Sequence, residues 1–293
     1  MNIHCFLPLA LLGAAPGLFG QTPQPAAGVP ARRYQDGETL VYHMKATNEG
    51  RRYEVDARGV VKKDERGVWF EEYAWSNLVS NGAPFSLPAS SQEFRQVLSL
   101  DVRKMPRLPN LSTVHPMLIG PVTDLMTFYV DLWLAERVAN LSKAGNHLLF
   151  KHGVPSSWAD GNKVIVAEDS IDFDITLTEL DTVRQVGTLL IRHVPPKQPQ
   201  IKLPAEWMRE PVADTPNNWV EVARSDGKYV AAVGQETFDV RLSVSLADGR
   251  ILSGSIENPV KTRERICEDA ALTNCGEAHS HSILRQIEIS LVH

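Results

Sequence analysis

Apolar and polar residues alternate at every second position along much of the chain. In FDVRLSVSL, Phe238, Val240, Leu242, Val244 and Leu246 fall on one side and Asp239, Arg241, Ser243 and Ser245 on the other. That period of two predicts a strand with one buried and one wet face. Asp248 and Gly249 supply a turn, and RILSGSIEN returns as the partner strand. SIDFDITLTEL repeats the pattern with Ile171, Phe173, Ile175 and Leu177 on one face, and SILRQIEISLV with Ile283, Ile287, Ile289 and Leu291. Near the start, ETLVYHMKA, RRYEVDARGVV and GVWFEEYAWSNL predict three more strands, separated by the turn sequences NEG and DERG.

One segment departs from this rhythm. In PVTDLMTFYVDLWLAERVANLSKAG, Leu125, Phe128, Tyr129, Leu132 and Trp133 recur at helical spacing, while Asp124, Asp131, Glu136 and Arg137 supply polar positions. Pro121 just ahead of Thr123 as N-cap, and Gly145 as a stop, predict a helix over about 122–142. The fold class expected is mainly β (α+β), a strongly curved antiparallel sheet or partly open barrel with one long amphipathic helix packed on it.

The ends and breaks of the pattern divide the chain. FLPLALLGAAPGLFG, an apolar run closing on small residues, and the polar, proline-rich QTPQPAAGVPA predict a signal peptide over 1–20 and a disordered leader over 21–33. Residues 34–194 then form an N-terminal β-rich part. Six prolines between 195 and 218 predict a linker or loop, because proline fixes φ and removes a backbone donor. Residues 219–293 form a C-terminal antiparallel part completing the same sheet. No other segment is long and uncharged enough to cross a bilayer. The chain is expected to be exported, periplasmic or extracellular.

Charge narrows the partners. A formal net charge of -5, with basic residues scattered, argues against nucleic acid, whose binding needs a basic face. Cysteine usage narrows the chemistry. Removal of the leader takes Cys5 with it and leaves Cys267 and Cys275, an even pair in an oxidising compartment, so a disulfide is predicted. The alternative is a tetrahedral metal site from Cys267, Cys275, His279 and His281, although the seven-residue gap between the cysteines is wider than a zinc knuckle.

Catalytic signatures are sparse. The chain lacks G-x-S-x-G, a P-loop and G-x-G-x-x-G. The acidic run from Glu168 to Asp181 lacks the glycine and ligand spacing of a calcium loop, and strand alternation already turns Asp172 and Asp174 to solvent. A secreted hydrolase would need His147, His152 and the acids of 168–174 to converge. In VWFEEYAW, Trp69, Tyr73 and Trp75 share a face, and beside a carboxylate they could form a ligand platform. Phe128, Tyr129 and Trp133 of the helix extend the same set.

GETLVYHMKATNEGRRYEVDARGVV and DVRLSVSLADGRILSGSIEN, beside the helix, resemble in outline the periplasmic lipoprotein-localisation-factor-like proteins. The resemblance covers about half of the mature chain. It implies a curved sheet wrapping apolar side chains and a helix to hold a lipid or acyl group, and it transfers no individual residue. The function expected is therefore an exported, non-enzymatic protein binding an apolar ligand or an envelope partner in a concave sheet, with no cofactor. The alternatives are the hydrolase or a structural envelope protein.

Overall fold

The computed structural model describes residues 28–292, apart from 49, 102, 104, 105, 108, 139, 140, 152–155, 161–163, 169, 170, 196 and 199. Side chains are described outside 137–140 and 152–170. In chain order the elements are β1 (Thr39–Asn48), β2 (Arg51–Lys63), β3 (Trp69–Ser80), β4 (Ala83–Pro84), the short helix α1 (Ala89–Gln92) and β5 (Gln96–Leu98). The long helix α2 (Pro116–Val138) follows, then β6 (His147–Lys151), β7 (Ser156–Asp160), β8 (Val164–Glu168), β9 (Asp172–Asp181) and β10 (Val186–Val194). The chain closes with β11 (Trp219–Ser225), β12 (Lys228–Glu236), β13 (Phe238–Ser245), β14 (Ile251–Cys267) and β15 (His279–Leu291). Mostly antiparallel sheet with one long helix, the fold is the class that the alternation predicts.

All fifteen strands belong to one open sheet, ordered β4-β3-β2-β1-β15-β14-β12-β11-β8-β7, with β5 also on β3. The sheet forks at β14. Residues 251–257 pair with β13, which leads to β10, β9 and β6, whereas 260–267 pair with β12. Asn258 and Pro259 mark the fork, and a proline there is physically apt because it has no N–H to give to a ladder. The buried Asn258 side chain bridges the gap by donating to the Thr237 carbonyl at 2.8 Å.

The buried face of the main branch is built in rows. Tyr53, Ala46, Ile287, Ile256, Val240, Ile191 and Ile175 are successive cross-strand partners from β2 to β9. Over this face lies α2, close enough at Gly254 that an added Cβ would stand 2.8 Å from the Phe128 ring. The six aromatics Trp69, Tyr73, Trp75, Phe128, Tyr129 and Trp133 all turn towards this interior. Tyr73, Phe128 and Tyr129 are fully buried, Trp75 and Trp133 nearly so, and Trp69 is half-buried against Tyr34.

The helix begins earlier and ends earlier than its pattern predicts. Pro116 occupies the first turn, where a missing N–H costs nothing, and the His115 ring Nδ1 accepts from the Met117 amide at 3.2 Å as the cap. Pro121 therefore lies inside the helix. Thr123 is no cap: its hydroxyl donates back to the Ile119 and Gly120 carbonyls at 2.9 Å. The polar positions are not a wet face either. Asp124 and Asp131 are 1% and 0% exposed, because both face the sheet, where Tyr53 and Arg285 meet the first and His193 the second. By length and composition Pro116–Glu136 is apolar enough to span a bilayer, contrary to the expectation that no segment after the leader is. Here the sheet and its covering loops use that apolar surface.

A second, smaller core lies on the β11-β12-β14 arm. Ala205, Met208, Val220, Ala231, Val233, Cys267 and Leu272 are buried there. The proline-rich segment supplies its lid, with Trp207 donating from Nε1 to the Leu272 carbonyl at 3.1 Å and the buried Asn217 side chain bonding the carbonyls of Met208 and Glu210. Cys267 and Cys275 form the expected disulfide, which closes the loop that presents Leu272.

Candidate binding cleft

Two polar groupings sit against α2, one at each end, and only one of them is open. At the closed end, the chain just before β1 lies as a strap across the turn between β13 and β14, where the Arg33 amide donates to the Asp248 carbonyl at 2.8 Å. These residues, 28–33, fall within the stretch expected to be leader. Arg32 points inward, its guanidinium 2.8 Å from Glu38, 3.4 Å from Glu71 and 4.5 Å from the Tyr34 ring centroid. Glu71 is wholly buried and accepts from the hydroxyls of Tyr73, at 2.8 Å, and Tyr129. Glu136 of α2 accepts from the Arg32 amide at 3.1 Å.

Burial dominates the ionisation of this group. It pushes the Glu71 carboxyl above its ordinary range despite the pull of Arg32, and it raises Glu136 to about 9. A network so enclosed ties strap, strand and helix together. No substrate can reach it without the strap moving.

At the other end the core face of the sheet runs past the first turns of α2. There a cleft of about 430 Å³ opens, within the roughly 300–1,000 Å³ of small-molecule sites. Ala46, Tyr53, Met117, Gly120 and Pro121 give its apolar wall, and Asn48, Ser80 and Asn81 its polar edge. Arg51, Arg52, Arg285 and Asp124 are its charged residues. Strand register puts them there: Arg51 pairs with Asn48, Tyr53 with Ala46, and Ala46 with Ile287, two residues beyond Arg285 on the same face of β15.

Asp124 forms the floor of the cleft. It accepts from the Tyr53 hydroxyl at 2.6 Å and is ion-paired with Arg285. A buried carboxylate needs such partners, since an unpaired one would cost several kcal/mol. Asp131, two turns further along α2, is satisfied the same way by His193 Nε2, 3.0 Å from both of its oxygens. The His193 ring lies between Phe173 and Phe238, with centroids 4.7 Å and 4.8 Å away.

The residues singled out from sequence fall elsewhere. Five of the six aromatics meet in the interior, Trp69 is half-buried against Tyr34, and the cleft wall is made by other residues. The metal alternative loses its two sulfurs to the disulfide, while His279 and His281 are exposed on β15 opposite Glu264 and Thr262. Among the described residues no group of three or more His, Cys, Asp or Glu side chains could hold a metal. Of the hydrolase set, His147 Nε2 meets Asp174 at 2.6 Å on the exposed edge, while His152, Asp169 and the side chain of Glu168 lie outside the described residues.

Sequence reasoning missed the pairing of Asp124 with Arg285. The two lie 161 positions apart by residue number, and no local pattern joins them. Glu71 was in sight, since period two puts it on the face of Trp69, Tyr73 and Trp75. Comparison of the chain with protein-family models, with curated proteins and with solved structures returned no match.

Proposed function

We propose that this is an exported, non-catalytic binding protein that takes an apolar ligand at the mouth between α2 and the curved sheet. The observation that carries the reading is the cleft itself, lined by Ala46, Tyr53, Met117, Gly120 and Pro121 where sheet and helix diverge. A Cβ at Gly120 would make ordinary contact with the Tyr53 ring at 3.5 Å, so a larger side chain there would take up the space above it. The outline resemblance to the lipoprotein-localisation-factor-like proteins points to the same class of ligand. Export is supported by the leader-like N-terminus and by the Cys267–Cys275 disulfide.

Tyr73, Trp75, Phe128, Tyr129 and Trp133 are already packed in the core, so the ligand sits at the mouth and not deep between them. The test is a titration of delipidated protein with 11-(dansylamino)undecanoic acid, with Gly120→Leu as the blocked variant. Saturable fluorescence enhancement that Gly120→Leu reduces is the expected result. No enhancement with the parent protein, and no lipid co-purifying by mass spectrometry, would remove the reading.

A further inference from the structure

Charge at the cleft carries the argument beyond an apolar ligand. Three arginines line it against a single carboxylate, in a chain whose formal net charge is -5. The one carboxylate is committed, since Asp124 is buried, paired with Arg285 and bonded to Tyr53. Arg51 and Arg52 are exposed at the start of β2, and among the described residues neither side chain enters an ion pair. Some other surface cations are neutralised locally: Lys62 by Glu72 at 2.5 Å, Arg103 by Asp101 at 2.6 Å, Arg184 by Asp181 at 2.5 Å. Alternation puts Arg51 on the cleft face of β2 with Tyr53 and turns Arg52 to the opposite face, so the uncompensated Arg51 guanidinium stands at the rim of an apolar-walled cleft.

We infer that the cleft is built for an anionic amphiphile, its acyl chain on the Met117–Pro121 wall and its carboxylate or phosphate head on Arg51. The inference rests on the apolar-ligand reading above and adds the chemistry of the head group. Guanidinium suits both candidate heads, because its fork of donors matches the paired oxygens of carboxylate and phosphate. Arg285 lies at the inner end of the same cleft. Its partner Asp124 keeps the base of the cleft neutral, so the attraction is concentrated at the rim where a head group would meet water.

Competition against the bound dansyl fatty acid tests this, using dodecanoate, dodecyl phosphate, dodecanol and inorganic phosphate, each below its micelle concentration. Dodecanoate and dodecyl phosphate are expected to displace the probe about tenfold or more tightly than dodecanol, the margin of a charged hydrogen bond. That advantage should shrink in high salt, where exposed charges are screened beyond about 3 Å at 1 M. Arg51→Glu should remove most of it, whereas Arg58→Glu, an exposed charge reversal on the same strand outside the cleft, should not. Equal displacement by dodecanol would overturn the head-group inference and leave the apolar reading standing. Displacement by inorganic phosphate as effective as by the amphiphiles would mark a simple anion site and overturn it too. A probe that never binds the parent protein removes both.

Discussion

At the scale of single residues, the polar groups inside this protein are where pattern and packing part company. Alternation along β3 puts Glu71 on the inward face with Trp69, Tyr73 and Trp75, and there it is, fully buried and held by two tyrosines and Arg32. Helical periodicity turns Asp124 and Asp131 to solvent, and the fold buries both, because they lie against the sheet, where Tyr53, Arg285 and His193 partner them. Glu136 gives the clearest consequence. It titrates near 4.5 when unfolded and at about 9 in the folded protein, so the folded state keeps a proton that the unfolded chain gives up. Stability present below about pH 4.5 is therefore lost as pH rises towards 9, at up to about 1.4 kcal/mol per pH unit. Glu136→Gln should flatten urea-unfolding stability between pH 6 and 8.5. Identical slopes in parent and variant would show that the folded-state carboxyl is not raised.

At the scale of elements, most strands were legible because each has one buried and one wet face, and a local pattern records that directly. The bounds of α2 were not, since its first proline and cap precede the apolar stripe and its second proline lies within the helix. The proline-rich segment is a loop, as its composition requires, yet it does structural work as the lid of the second core through Met208, Trp207 and Asn217. Its anchor is the disulfide loop. Joining Cys267 to Cys275, eight positions apart, adds about 2 to 3 kcal/mol in the chain-entropy account. Cys267→Ser/Cys275→Ser should lower stability by that order in denaturant titration. It should also alter Trp207 emission, because the Leu272 carbonyl that takes the indole proton is freed. A normal Trp207 signal with unchanged stability would show that the lid stands without its staple.

At the scale of the whole molecule, one open sheet forks at β14 and encloses α2 along its main branch, with a strap closing one end of the helix and a cleft left at the other. The closed end is dominated by buried carboxylates and Arg32, the open end by the unpaired Arg51 at an apolar wall. Expression with the native N-terminus in a Gram-negative host tests the compartment: the exported chain should have lost about 20 residues and carry no alkylatable thiol. An unprocessed chain with Cys5, Cys267 and Cys275 all alkylated would place it in a reducing compartment. By itself the sequence determined the β-rich class and the presence of one long helix, because both follow from local periodicity; for the two downstream cysteines it favoured a disulfide and left a metal site open, and the structure joins them. The tertiary structure alone decided the fork, the burial of Asp124 and Asp131, and the cleft. Those depend on residues far apart in the chain, Tyr53, Asp124 and Arg285 among them, which only strand register and the placement of α2 bring within hydrogen-bond reach.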